Sequence, residues 1–140
     1  WRDDGAGPGR RPGATGVSDR LLGPEAVPAA IDTHGVRTRA GVPGMLHRSL
    51  DLPEDVLAKY DTSSLEVVAS SGSALPGQLA QRWMDAFGDN LYNTYGSTEV
   101  SIATIADPKQ LREHPGTAGT PLRGSKVALL DNAGHDVPPG

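Results

Sequence analysis

LEVVASSGSALPGQLAQRWMDAFGDNLYNTYGSTE, residues 65–99, is the stretch from which the fold of this chain can be read. It opens with Leu65-Glu66-Val67-Val68-Ala69, a short apolar run with β-branched residues, which predicts a strand buried on both faces of a parallel sheet. Ser70-Ser71-Gly72-Ser73-Ala74 follows, and residues this small let a ligand come close to the backbone. Pro76 then opens a helix whose expected inner face carries Leu79, Trp83, Ala86 and Phe87, and Gly88 closes it. Leu91-Tyr92-Asn93-Thr94-Tyr95 predicts a second strand, ending at Gly96-Ser97-Thr98-Glu99.

Strand, loop, helix and strand make a βαβ unit, and its right-handed crossover sets the two strands parallel and side by side. Their carboxyl ends then share one edge. Ligands of open α/β sheets bind outside those ends, so the loop at Gly72 and the segment from Tyr95 to Glu99 should border one crevice.

Working outward, residues 42–65 carry Met45, Leu46, Leu50, Leu52, Val56, Leu57 and Tyr60 at spacings that predict two short amphipathic helices. Pro53, Glu54 and Asp55 suit the start of the second. Residues 1–40 read as a separate zone in which Gly, Pro and Arg recur without a helical or strand period. The expectation there is a disordered or poorly packed segment, of the kind a shifted reading frame would produce. Residues 41–140 are expected to form part of a folded domain. Downstream, Val100 to Ala106 is mixed, and residues 107–115 read as a polar surface loop. Gly116-Thr117-Ala118-Gly119-Thr120-Pro121 is a small-residue turn, Ser125 to Asp131 a strand, and Asn132-Ala133-Gly134 a hairpin turn.

Composition narrows the function. A net charge of -4 offers no basic field for a phosphate backbone, so nucleic acid is not an expected partner. With no Cys there is no disulfide framework and no thiolate chemistry, which suits a reducing compartment and a cytoplasmic location. No run approaches the roughly 20 apolar residues of a membrane span. His34, His47, His114 and His135 lack metal-ligand spacing, the serines lack a Gly-x-Ser-x-Gly context, and the Gly72 loop lacks Gly-x-Gly-x-x-Gly. Trp83 reads as core.

Tyr95-Gly96-Ser97-Thr98-Glu99 sets a ring, a flexible joint, two hydroxyls and a carboxylate within five residues. A ring can stack on a purine, a hydroxyl can donate to a phosphate oxygen, and a carboxylate can hold Mg²⁺. A Gly-Ser turn with a solvated Glu would look the same in isolation. The motif does not stand alone. Together with SSGSALPGQL upstream and GTAGTPLRGSKVALLD downstream, it resembles the adenylate-forming, AMP-binding superfamily, closest to the acyl-CoA synthetases and fatty-acid-CoA ligases.

That resemblance implies an α/β fold, here a fragment of the family's large N-terminal domain with parallel strands and a following β segment. It implies that Gly72, Ser73 and Ala74 border the adenine and acyl pocket, that Tyr95 stacks on adenine, and that Gly96 and Ser97 line the acyl-carbonyl end. Thr98 would touch the α-phosphate and Glu99 would hold Mg²⁺, the two residues with catalytic roles. Val42-Pro43-Gly44-Met45 resembles the entry to the acyl-pocket helix, and Gly116, Gly119 and Pro121 a structural turn. ATP or AMP, Mg²⁺ and coenzyme A are the implied cofactors, with a carboxylic acid as the other small-molecule partner. The sequence holds no Pro-Lys-Gly phosphate loop and no Tyr-x-Thr-Gly-Asp segment, so adenylation by this chain alone is not expected. Losing even one electrostatic contact to a departing group costs on the order of 10²- to 10³-fold in rate. Within the superfamily the rival is a peptide-synthetase adenylation domain, and outside it a non-catalytic remnant that binds adenylates.

Overall fold

A computed structural model describes Gly16 and residues 23–137 of the chain. In chain order the elements are α1 (Ala26–His34), β1 (Thr38–Gly41), α2 (Pro43–Leu50), α3 (Glu54–Leu57), β2 (Val67–Ser70) and α4 (Gly77–Phe87). β3 (Leu91–Ser97), β4 (Ser101–Ala106), α5 (Pro108–Glu113) and β5 (Thr120–Pro121) follow. The sheet runs β1-β2-β3-β4-β5, with β1, β2 and β3 parallel and β4 and β5 antiparallel to their neighbours. The βαβ unit is therefore β2-α4-β3.

Its interior is over-determined. Val68, Leu91, Ala80, Trp83, Leu46 and Leu111 are all fully buried in one cluster, to which Leu79 and Met84 also belong. The Trp83 ring stacks on Phe87 with centroids 4.3 Å apart, while its indole N–H donates to the side-chain oxygen of Asn90 at 3.0 Å. Asn90 in turn donates to the carbonyls of Leu65 (3.1 Å) and Phe87 (2.8 Å), and its own carbonyl accepts from the Val68 amide at 2.8 Å. One buried amide thus joins the end of α4 to the starts of β2 and β3. Such a fully satisfied polar node fixes a single arrangement of the elements it joins. Gly88 takes φ 86° and ends α4, as the sequence predicts.

Several expectations change. Within residues 1–40 the structure places α1 and β1 instead of disorder; residues 1–15 and 17–22 lie outside the described residues. α1 is short, but Pro28 and Ile31 are buried and Gly35 ends it at φ 55°, while β1 is ordered by its ladder to β2, which needs no apolar pattern. The β2 strand is not buried on both faces: Val68 and Ser70 are covered and Val67 and Ala69 are half-buried, because the core cluster with α2 and α4 lies on one side. On α4 the covered residues are Leu79, Ala80, Trp83 and Met84, and Ala86 faces solvent.

Residues 107–115 are not a loop. Asp107 caps α5 by accepting from the Gln110 amide at 2.8 Å, while the Gln110 side chain accepts from the Asp107 amide at 3.0 Å, and Pro108 occupies the first turn. Residues 125–129 do not form a strand. Among the described residues they have no neighbouring strand to pair with, and only the bridge Leu130↔Asp136 closes around the turn at Asn132-Ala133-Gly134. No helix among the described residues is long and apolar enough to cross a membrane.

Candidate functional site

The site is built on the carboxyl edge of the parallel strands. β2 stops at Ser70, and residues 71–76 then cross to α4 with Gly72 at φ 85°, a conformation that favours glycine. Gly72, Ser73 and Ala74 are all exposed. A Cβ on Gly72 would stand 3.3 Å from Val42 Cγ1, so this loop lies against the segment that leads into α2.

β3 runs two residues further than the sequence suggests and takes in Gly96 and Ser97. The reason is β4, which pairs with it antiparallel through Gly96↔Ile102 and Ser97↔Ser101, with a bulge between Tyr95 and Gly96. Thr98, Glu99 and Val100 form the hairpin tip, and Ser101 adopts φ 59° to close it. Any side chain at Gly96 would overlap the Ser101 carbonyl oxygen, so only glycine permits the two strands to approach here. Tyr95 is 63% exposed, which leaves it open to a flat ligand. Glu99 lies in the open, and its carboxyl is held below the usual carboxylate range by the Ser97 hydroxyl and then by its own backbone amide. It is ionised at neutral pH.

The two predicted segments therefore sit at the ends of adjacent parallel strands, on one edge of the sheet. The tie between these strand ends is Thr94, whose hydroxyl donates to the Ser70 carbonyl at 2.9 Å. The sequence reading did not single out Thr94. Its signal is a hydroxyl one residue before the motif, at the end of the predicted strand. Asn93 was missed too: its side-chain amide donates to the Thr117 carbonyl at 2.8 Å, and Thr104 donates to the Ala118 carbonyl at 2.6 Å. These bonds pin the turn at 116–121 behind β3 and β4. A Cβ at Gly119 would overlap the Ile105 carbonyl, which makes that turn a packing device.

Glu99 is a single exposed carboxylate, and Mg²⁺ is commonly held by one or two carboxylates with substrate phosphates completing its shell. Among the described residues no group of three or more His, Cys, Asp or Glu is placed to hold a metal ion.

The profile of the AMP-binding enzyme family matches residues 12–140, and so includes most of the segment expected to be disordered. Acetyl-coenzyme A synthetase of Bacillus subtilis (strain 168) is 26% identical over 132 residues, covering 91% of this chain and 23% of that protein. Long-chain-fatty-acid–CoA ligase of Escherichia coli O6:H1 is 32% identical over 82 residues, 59% of this chain and 15% of the ligase. Enterobactin synthase component F of Escherichia coli (strain K12) is 32% identical over 113 residues, 76% of this chain and 9% of that protein. Among solved structures, amide bond synthetase McbA from Marinactinospora thermotolerans superposes with TM-score 0.76 at 26% identity, over 84% of this chain and 24% of that one. The chain spans less than a quarter of each of these proteins. Family profile, relatives and fold agree: this chain belongs to the AMP-binding family of adenylate-forming enzymes.

Proposed function

We propose that the chain carries part of the adenylate site of an ATP-dependent acyl-CoA ligase, with a carboxylic acid of the fatty class as its substrate. The observation that carries this reading is that β2 and β3 pair in parallel, so the Gly72 loop and the Tyr95–Glu99 segment lie at the carboxyl ends of neighbouring strands. Tyr95 would stack on the adenine, with Gly72, Ser73 and Ala74 bordering it. The Thr98 hydroxyl would donate to the α-phosphate, and Gly96 and Ser97 would leave room for the acyl carbonyl. In such a reaction the acid's carboxylate attacks the α-phosphorus and pyrophosphate leaves, and the thiol of coenzyme A then attacks the acyl carbonyl of the adenylate, forming the thioester as AMP leaves. Mg²⁺ bound at Glu99 would neutralise phosphate charge. The protein's part is positioning and charge compensation.

On this reading the chain binds adenylates without turning them over, and acts in the cytoplasm. The likeness to enterobactin synthase component F favours a second reading, a piece of a peptide-synthetase adenylation domain. The turn signature Tyr95 to Glu99 and the long helix after Pro76 weigh toward the acyl-CoA ligases.

Titration of the 140-residue chain with AMP, followed by its unfolding temperature, tests the proposal. AMP should raise Tm progressively, as any ligand of the native state does, and Tyr95→Ala should remove the response. A Tyr95→Ala chain that responds as strongly as the parent would refute the assignment.

A further inference from the structure

The loop that follows β2 is attached to the rest of the site at few points. Among the described residues, 72–75 make no backbone–backbone hydrogen bond, and Gly72, Ser73 and Ala74 are exposed. Buried Leu75 anchors the far end. The near end is gripped from both sides. The Ser71 amide donates to the Gly41 carbonyl of β1 at 3.1 Å, and the Ser70 carbonyl accepts from the Thr94 hydroxyl of β3 at 2.9 Å.

These two grips differ in kind. The first is backbone to backbone, and almost any residue at either position would supply it. The second depends on one side chain, and that side chain belongs to the residue immediately before Tyr95. The last register pair of β2 and β3 is Ser70 with Asn93, so Thr94 stands one residue beyond it and its hydroxyl carries the attachment of the two strands past that pair. Threonine is β-branched and stiff at χ1, which aims the hydroxyl at little cost in side-chain freedom. One bond therefore joins the root of the Gly72 loop to the root of the Tyr95 ring.

We propose that Thr94 is a positioning residue of the adenylate site, whose hydroxyl holds the Gly72 loop at a set separation from Tyr95 so that both meet one ligand. The inference rests on the adenylate reading above and deepens it. Thr94 acts through Ser70 and Gly72 and needs no contact with the nucleotide. A loop already held in its binding geometry loses less freedom when the ligand arrives, and affinity gains by that difference. Replacing Thr94 by valine keeps the shape and the β-branch and removes only the donor.

Titration of the 140-residue chain and its variants with AMP, followed by backbone amide shifts, tests the role. Thr94→Val should melt close to the parent when free and bind AMP about two- to tenfold more weakly, the worth of one hydrogen bond. Its AMP-induced shifts at Tyr95 and Gly96 should persist while those at Gly72 to Ala74 shrink, a pattern that a general loss of stability would not give. Thr94→Ser, which keeps the hydroxyl, should bind as the parent does, and Thr94→Ala carries the test if Thr94→Val does not fold. Ser64→Ala is the control: it removes a hydroxyl that donates to the Val36 carbonyl at 3.1 Å, at the opposite ends of β1 and β2, and should leave AMP affinity unchanged. A parent chain with no AMP response would sink the adenylate reading and this role with it. A parent that binds AMP while Thr94→Val binds equally well with the same shift pattern, or a Ser64→Ala chain weakened as much as Thr94→Val, would overturn the role of Thr94 alone.

Discussion

The β2-α4-β3 unit and the hairpin tip at Thr98-Glu99-Val100 are adjacent in the chain and opposite in character. In the first, Trp83 has no exposed surface and its one polar atom is bonded to Asn90. In the second, residues 95–100 are all exposed, and the hairpin is held at its base by Gly96 and Ser101. Rigid support and accessible chemistry have been assigned to different residues, joined at Thr94 and Ser70. The contrast implies that stability and ligand binding can be perturbed separately.

Trp83→Ala should give the largest effect on stability. Truncating a fully buried Trp costs roughly 3–5 kcal/mol, and here the Asn90 side-chain oxygen also loses its donor. Denaturant unfolding should show a much lower midpoint, and a loss under about 1 kcal/mol would mean the core is not organised around this ring. Asn90→Ala comes next. It strands the Trp83 N–H and the carbonyls of Leu65 and Phe87, for which a cost of about 1–3 kcal/mol is expected; a neutral result would show that water replaces the node. Tyr95→Ala should change stability by no more than about 0.5 kcal/mol while abolishing the AMP response. If it destabilises the chain as Asn90→Ala does, the division between support and site fails.

The same contrast explains what was legible in the sequence. β2, α4 and β3 were readable because a β-branched run, a helical apolar face and Gly88 act locally. The location of the site followed from them, since parallel strands put Gly72 and Tyr95 on one edge. α5 is also written locally, in the capping pattern of Asp107, Pro108 and Gln110, which lies inside a polar stretch that otherwise reads as loop. β4 was not readable in this way: Ser101-Ile102-Ala103-Thr104-Ile105-Ala106 becomes a strand by pairing with β3, and its start depends on a Gly96 with no room for a side chain. β1 likewise owes its order to β2. Residues 125–129 failed in the other direction, with a strand-like pattern and no neighbouring strand among the described residues. Val127, Leu129, Leu130 and Val137 there stay exposed, whereas the apolar residues of α4 are covered.

The most direct test of the adenylate site is the mapping of backbone amide shifts as AMP is added to the 140-residue chain. The account predicts changes in two stretches distant in sequence, Gly72 to Ala74 and Tyr95 to Glu99, with the amides around Trp83 unmoved. Changes confined to one stretch, or centred on residues 125–137, would contradict it.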